Sequence, residues 1–177
     1  LVRACHDRWG ARGKHSIEWA MADAALGGHG ALVQLCYGWG ARDMNSAMVK
    51  AARGGHEPLV MQCYARGARD VDKAMVAAAS GGHKALVRQC YAWGARSIYS
   101  VGGAMEAAAA GGHEAVMRYI YDNWGVLDPE ILTDYADLAM SAAAGNGHEP
   151  LVRICHEGWG ARDVDRAMAA AAGGGYG

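Results

Sequence analysis

Five histidines recur in one local setting. His29, His56, His83 and His113 each follow two glycines, and His148 follows Asn146-Gly147. Imidazole can ligate a metal or move a proton near neutral pH, so five copies suggest a ladder of ligands. Zinc needs its donors within about 2.0–2.3 Å of one point, yet these histidines are 27, 27, 30 and 35 residues apart. Copies placed one repeat apart cannot share an ion, and no metal site is expected. The thiols follow the same logic. Cys36, Cys63, Cys90 and Cys155 each lie seven residues after one of those histidines, and Cys5 holds the same place in a clipped LVRAC phrase. Thiols on successive packed layers stand about 8–10 Å apart, and a disulfide needs Cα atoms under about 7 Å apart. They read as small buried hydrophobes and point to a reducing, cytoplasmic compartment.

Three further patterns could do chemistry. Cys5-His6 and Cys155-His156 are dyads of nucleophile and base, but nothing supplies the third group that orients a catalytic base. Tyr37, Tyr64 and Tyr91 stand where a His would in other copies. Arg12, Arg42, Arg69, Arg96 and Arg162 each follow a Gly-Ala pair, and Asp43, Asp70 and Asp163 follow three of them. An arginine stripe can hold carboxylates or phosphates; alternating signs favour instead an Arg–Asp ladder between adjacent loops. Trp9, Trp39, Trp93 and Trp159 recur just before a Gly and are expected to pack rather than bind. No nucleophile, base and anion hole converge, so the chain is expected to be no enzyme and to use no cofactor.

The elements that position these residues come from a repeat. Met21, Met48, Met75, Met105, Met140 and Met168, each preceded by Ala, are separated by 27, 27, 30, 35 and 28 residues. The unit is therefore 27 residues, with three extra before Met105 and eight across 123–137. Ser16, Asp43, Asp70, Ser100 and Asp163 lie five residues before a Met, at expected N-caps; Tyr135 breaks that rule. Glu18, Asn45, Asp72, Asp137 and Asp165 follow two residues later, mostly acidic where the helix dipole favours it, with Gly102 the exception. Ala then dominates up to the Gly pair. A second helix follows the His, with Pro58 and Pro150 in its first turn and, in one copy, Leu86, Val87, Cys90 and Tyr91 at helical spacing. The chain divides into a half-unit 1–12, full units 13–42, 43–69, 70–96, 97–126 and 127–162, and a trailing helix 163–177. About twelve short helices are expected, with bare apolar residues on the outer two.

The 177 residues are 52% hydrophobic and carry 17 basic against 18 acidic side chains, a net charge of −1. A nucleic-acid binder would show a basic excess or stripe, so no nucleic acid is expected. No apolar run approaches the roughly 20 residues of a spanning helix, and no secretory signal opens the chain; no membrane is expected. Starting at Leu1 without Met, it reads as a fragment of something longer.

The phrase AAASGGHKALVRQCYAWGA resembles the ankyrin repeat over its two helices, through Ala78-Ala79, Gly82-His83, Leu86-Val87, Cys90-Tyr91 and Gly94-Ala95. The resemblance recurs in all five full units. It implies an all-α solenoid of stacked antiparallel helix pairs, with the His closing the turn by hydrogen bonding and a concave face for a protein partner. The unit departs from the family's roughly 33 residues and lacks its T-P-L-H-x-A phrase, so β-hairpin fingers are expected to be mostly absent. Only the 126–140 connection is long enough for one. Arrays of this wording look similar to those encoded by large DNA viruses of protists. A leucine-rich repeat shares the period but would need an L-x-x-L-x-L strand phrase that is missing here.

Specificity is expected where the copies differ: two before, one and two after, and five after each Met. Those positions share one helical face, and variation on one face of a constant scaffold suits recognition. Trp19, Lys50, Arg53, Lys73 and Glu106 are the expected contacts. The expected function is a non-catalytic interaction scaffold or adaptor for a protein partner, with end-to-end self-association of a structural protein as the alternative.

Overall fold

The structure, a computed structural model, describes residues 14–124 and 129–176. The half-unit 1–12, with Cys5, His6, Trp9 and Arg12, lies outside them, as do residues 125–128 of the long connection. Among the described residues there are eleven helices and no strand. They are α1 (Lys14–Leu26), α2 (Gly30–Gly38), α3 (Met44–Arg53), α4 (Glu57–Ala65), α5 (Val71–Ser80) and α6 (Lys84–Ala92). Then come α7 (Ile98–Ala110), α8 (Glu114–Trp124), α9 (Pro129–Gly145), α10 (Glu149–Arg153) with a π turn at Ile154–Gly158, and α11 (Val164–Gly174).

The odd-numbered helices pack against one another in chain order, and each even-numbered helix packs on the odd one before it. Composition explains the asymmetry. Each odd helix from α1 to α9 buries its repeat Met (21, 48, 75, 105 or 140) almost completely and surrounds it with Ala, such as Ala74, Ala78 and Ala79; α3 buries Met44 as well. Small side chains let neighbouring axes approach, and the flexible Met fills the gaps that remain. Even helices present Leu59-Val60-Cys63, Leu86-Val87-Cys90 and Val116-Met117-Ile120 to the same core.

The repeated triplet is the joint between units. At the end of α5, Gly82 has φ +78°, a left-handed C′ position where glycine carries no Cβ strain. The backbone N–H of His83 donates to the Ala78 carbonyl at 2.9 Å and that of Gly82 to Ala79 at 3.1 Å, the paired bonds of a Schellman ending. The His83 ring then reaches back one unit, its Nε2 donating to the Arg53 carbonyl at the end of α3, 3.0 Å away. His56 does the same to Leu26, His113 to Ser80 and His148 to Ala110. Each bond satisfies a helix-terminal carbonyl that has no partner inside its own helix. Gly81 is small for a different reason: a Cβ there would overlap the Arg53 carbonyl oxygen. In the last copy Tyr176 takes the histidine's place, its backbone N–H bonding Ala171 and its ring lying over Gly147.

The insertions lengthen helices. The three extra residues before Met105 extend α7 to 13 residues against the 10 of α5. Ser97 is consequently the N-cap, accepting the Ser100 N–H at 3.0 Å, and Ser100 is a buried residue of the first turn rather than the expected cap. Ser16 likewise lies inside α1. Asp43 and Asp163 do cap, accepting from Ser46 and Arg166; Asp70 occupies the cap position but gives its carboxylate to Lys73. The region large enough for a finger is helical from Pro129, and α9 runs for 17 residues. The single extra residue of the last interval becomes the π turn, which moves the Cys155–Ala161 bond to a six-residue span from the five of Cys90–Ala95.

Two departures from the pattern are one contact. Tyr135, where a capping residue was expected, is buried, and its hydroxyl donates to the Ile98 carbonyl at 2.6 Å. Its ring lies against Gly102, where any Cβ would clash.

Joint and core should differ in weight. Losing a single partly solvated hydrogen bond costs about 1 kcal/mol, whereas emptying a buried Met site costs about 2–5 kcal/mol. His83→Ala is expected to lower unfolding stability in urea by the first amount and Met75→Ala by the second.

Candidate interaction groove

Acidic residues three before the Met were expected to serve the helix dipole. Their main role in the structure is to hold the next unit. Glu18 accepts the backbone N–H groups of Arg42 and Asp43 at 2.8 and 3.0 Å. Asn45 does so for Arg69 and Asp70, and Asp137 for Arg162 and Asp163. Asp72 is the exception among the copies that are followed by another described unit. The residues inserted after Arg96 carry the chain on into α7's added turn, and the Asp72 carboxylate makes no hydrogen bond or ion pair among the described residues. It is exposed, beside Ser97 and Tyr99.

That carboxylate lies at one end of a concavity of about 540 Å³ over α3, α5 and α7. Its floor comes from α5, where Lys73, Val76, Ala77 and Ser80 fall on one face at helical spacing. Val49, Lys50 and Arg53 of α3 form one side; Tyr99, Ser100 and Ala107 of α7 form the other. α7 offers little bulk beside this floor: a Cβ at Gly103 would come only into ordinary contact with Val76, and Ala107 has a methyl. Tyr99, 84% exposed, stands at the Asp72 end.

Of the five expected contacts, Lys50, Arg53 and Lys73 line this concavity and the other two do not. Trp19 is 77% exposed on α1, and Glu106 is exposed on α7 next to the lining Ala107. Asp72 and Tyr99 were missed. Both were signalled by the three-residue insertion, which removes the amides from one and adds the other. Lys73 is tied to Asp70 at 2.9 Å, and that hydrogen bond with its charge raises the Lys73 pKa. Lys50 and Arg53 enter no ion pair among the described residues.

The remaining candidates are structural. The Arg–Asp ladder does not form among the described residues. Arg42 and Arg69 turn back to cap the preceding helix, donating to the carbonyls of Tyr37 and Ala41 and of Tyr64 and Ala68. Their guanidinium groups also lie over the Tyr37 and Tyr64 rings, as Arg96 lies over Tyr91. The next unit adds a second contact to two of these rings, Trp93 on Tyr64 at 3.9 Å and Arg66 over Tyr37, and it stacks Trp159 on Tyr121 at 4.4 Å. His156 bonds the Ala161 carbonyl through Nδ1, so it braces the same turn. Among the described residues no three His, Cys, Asp or Glu gather as metal ligands, and no helix is long and apolar enough to cross a membrane.

Cys36, Cys63, Cys90 and Cys155 are free and buried. Burial pushes Cys90 and Cys155 up to about 12 and raises the other two as well. Each thiol is therefore neutral near pH 7 and a poor nucleophile. The sequence matches no protein-family model, and no curated protein matches it significantly.

A thiol whose folded pKa exceeds its unfolded value releases its proton more readily on unfolding. The stability it contributes is complete below the ordinary thiol pKa and is lost as pH climbs toward 12. Native protein at pH 8 should leave these four cysteines unalkylated in mass spectra, and its urea midpoint should fall between pH 9 and 11. Equal labelling of Cys90 in native and urea-unfolded protein would contradict its burial.

Proposed function

We propose that the chain is a non-catalytic scaffold that binds a protein partner on the face of its odd helices, as an ankyrin-like solenoid of helical hairpins. One observation carries the reading. Residues that recur in every copy are committed to core, joint or stack, while the unrepeated Lys50, Arg53 and Lys73 surround one open concavity. A scaffold whose repeated parts hold the backbone leaves such a face free to vary, and loss of the joints would disorder it. The buried neutral thiols suit a reducing, cytoplasmic setting.

A second reading, end-to-end self-association, is favoured by Met168 at 66% exposure and by Val164 beside it on α11. The equivalent methionines of the earlier odd helices are buried against the next helix in order. The two readings separate by experiment. For the first, the full chain is used as bait and its recovered partners are compared with those of a Lys50→Glu/Arg53→Glu/Lys73→Glu variant. Partner recovery should drop about tenfold in that variant and survive Arg88→Glu/Arg118→Glu on the even helices. A partner retained by the triple variant would exclude this face. For the second, light scattering should show mass rising with concentration and a monomer after Met168→Glu; a monomer at all concentrations would end that reading.

A further inference from the structure

We infer that the groove over α3, α5 and α7 receives an acidic segment of a partner protein, its carboxylates at the Arg53 end and one large apolar side chain on the Val76 floor. This rests on the groove being the binding face. Three cations and one anion line it, on a chain whose net charge is −1. A local positive field on a slightly acidic molecule steers partners of the opposite sign. Lys73 is already balanced by Asp70. Lys50 and Arg53 are not, and three residues apart on α3 they present neighbouring heads.

The charges are ordered along the groove. Arg53 ends α3 and Ser80 ends α5 at the same register, so cation and hydroxyl share one end. Asp72 and Tyr99 mark the other. Between them lie Val49, Val76, Ala77 and Ala107, and Gly103 adds no side chain over Val76. From Asp72 to Ser80 the floor spans eight helical steps, about 12 Å at 1.5 Å per residue. That length takes two turns of a helix or four extended residues. The fitting segment has one or two carboxylates at one end, an apolar anchor in the middle, and an amide or cationic donor toward Asp72.

Lys50 and Arg53 also lie in the last turn of α3, where cations complement the helix dipole. If that were their whole role, charge reversal would lower stability and leave recognition alone. Selection of a phage-displayed library of random peptides, about twelve residues long, on the full chain separates the cases. Enriched peptides should carry Glu or Asp beside one Trp, Leu or Phe. As synthetic peptides they should bind at least about tenfold more tightly than their Gln-substituted versions at low salt, and lose most of that advantage at 0.3 M NaCl. Lys50→Glu/Arg53→Glu should abolish the preference while keeping the native circular dichroism melt within a few degrees. Neutral or basic peptides whose binding still needs the groove would overturn the acidic inference and leave the groove reading standing. Peptides indifferent to the groove variants, or no enrichment at all, would overturn both.

Discussion

Two helices can lie side by side at short range only if nothing stands between their backbones and the polar ends are satisfied. Here the demand is met at the glycine-glycine-histidine joint. The first glycine lets one odd helix come up to the terminal carbonyl of the helix before it, and the second turns the chain through a left-handed conformation. The histidine ring then folds over that turn and hands its Nε2–H to the same carbonyl. An exposed helix end would otherwise leave that oxygen to water. Every layer of buried methionine and alanine depends on this spacing, because alanine reaches a neighbour only when the axes are close.

On the even helices the contact is of another kind. Tyr37 and Tyr64 are held between an arginine of their own unit and an arginine or tryptophan of the next, and Tyr121 stacks on the next unit's Trp159, so cation–π and stacking contacts span the wider gap there. The repeated arginine and the repeated aspartate both contribute to the turns, but separately. The arginine closes the helix behind it and the aspartate opens the helix ahead. Together with the glutamate, asparagine or aspartate that clamps the following loop, these bonds account for nearly all the repeated polar letters.

Departures from the repeat are where the molecule becomes particular. Gly102 and Tyr135 each violate the local pattern, and they do so as the two faces of one packed contact between α7 and α9. The three residues inserted before Met105 extend a helix, unseat Ser100 as a cap, release Asp72 from its loop and raise Tyr99 at the groove's end. One small insertion thus lengthens a helix and changes three side chains in space.

Much of this was legible in the amino-acid order. Helix positions, the buried thiols and the shared helical face of Lys50, Arg53 and Lys73 follow from spacing, because they depend on neighbours within one turn or on a repeat that states its environment five times. The turn role of the histidines came from the resemblance to the ankyrin repeat, and the burial of the methionines from the packed structure. The partners of Arg42 and Asp43 did not follow, since opposite charges adjacent in sequence suggest pairing while backbone carbonyls and ring faces offer better geometry. Nor did the separation of Trp19 and Glu106 from the other three candidates, or the freeing of Asp72. Those outcomes turn on distances between units, set by helix lengths and close approach, and only the tertiary structure decides them.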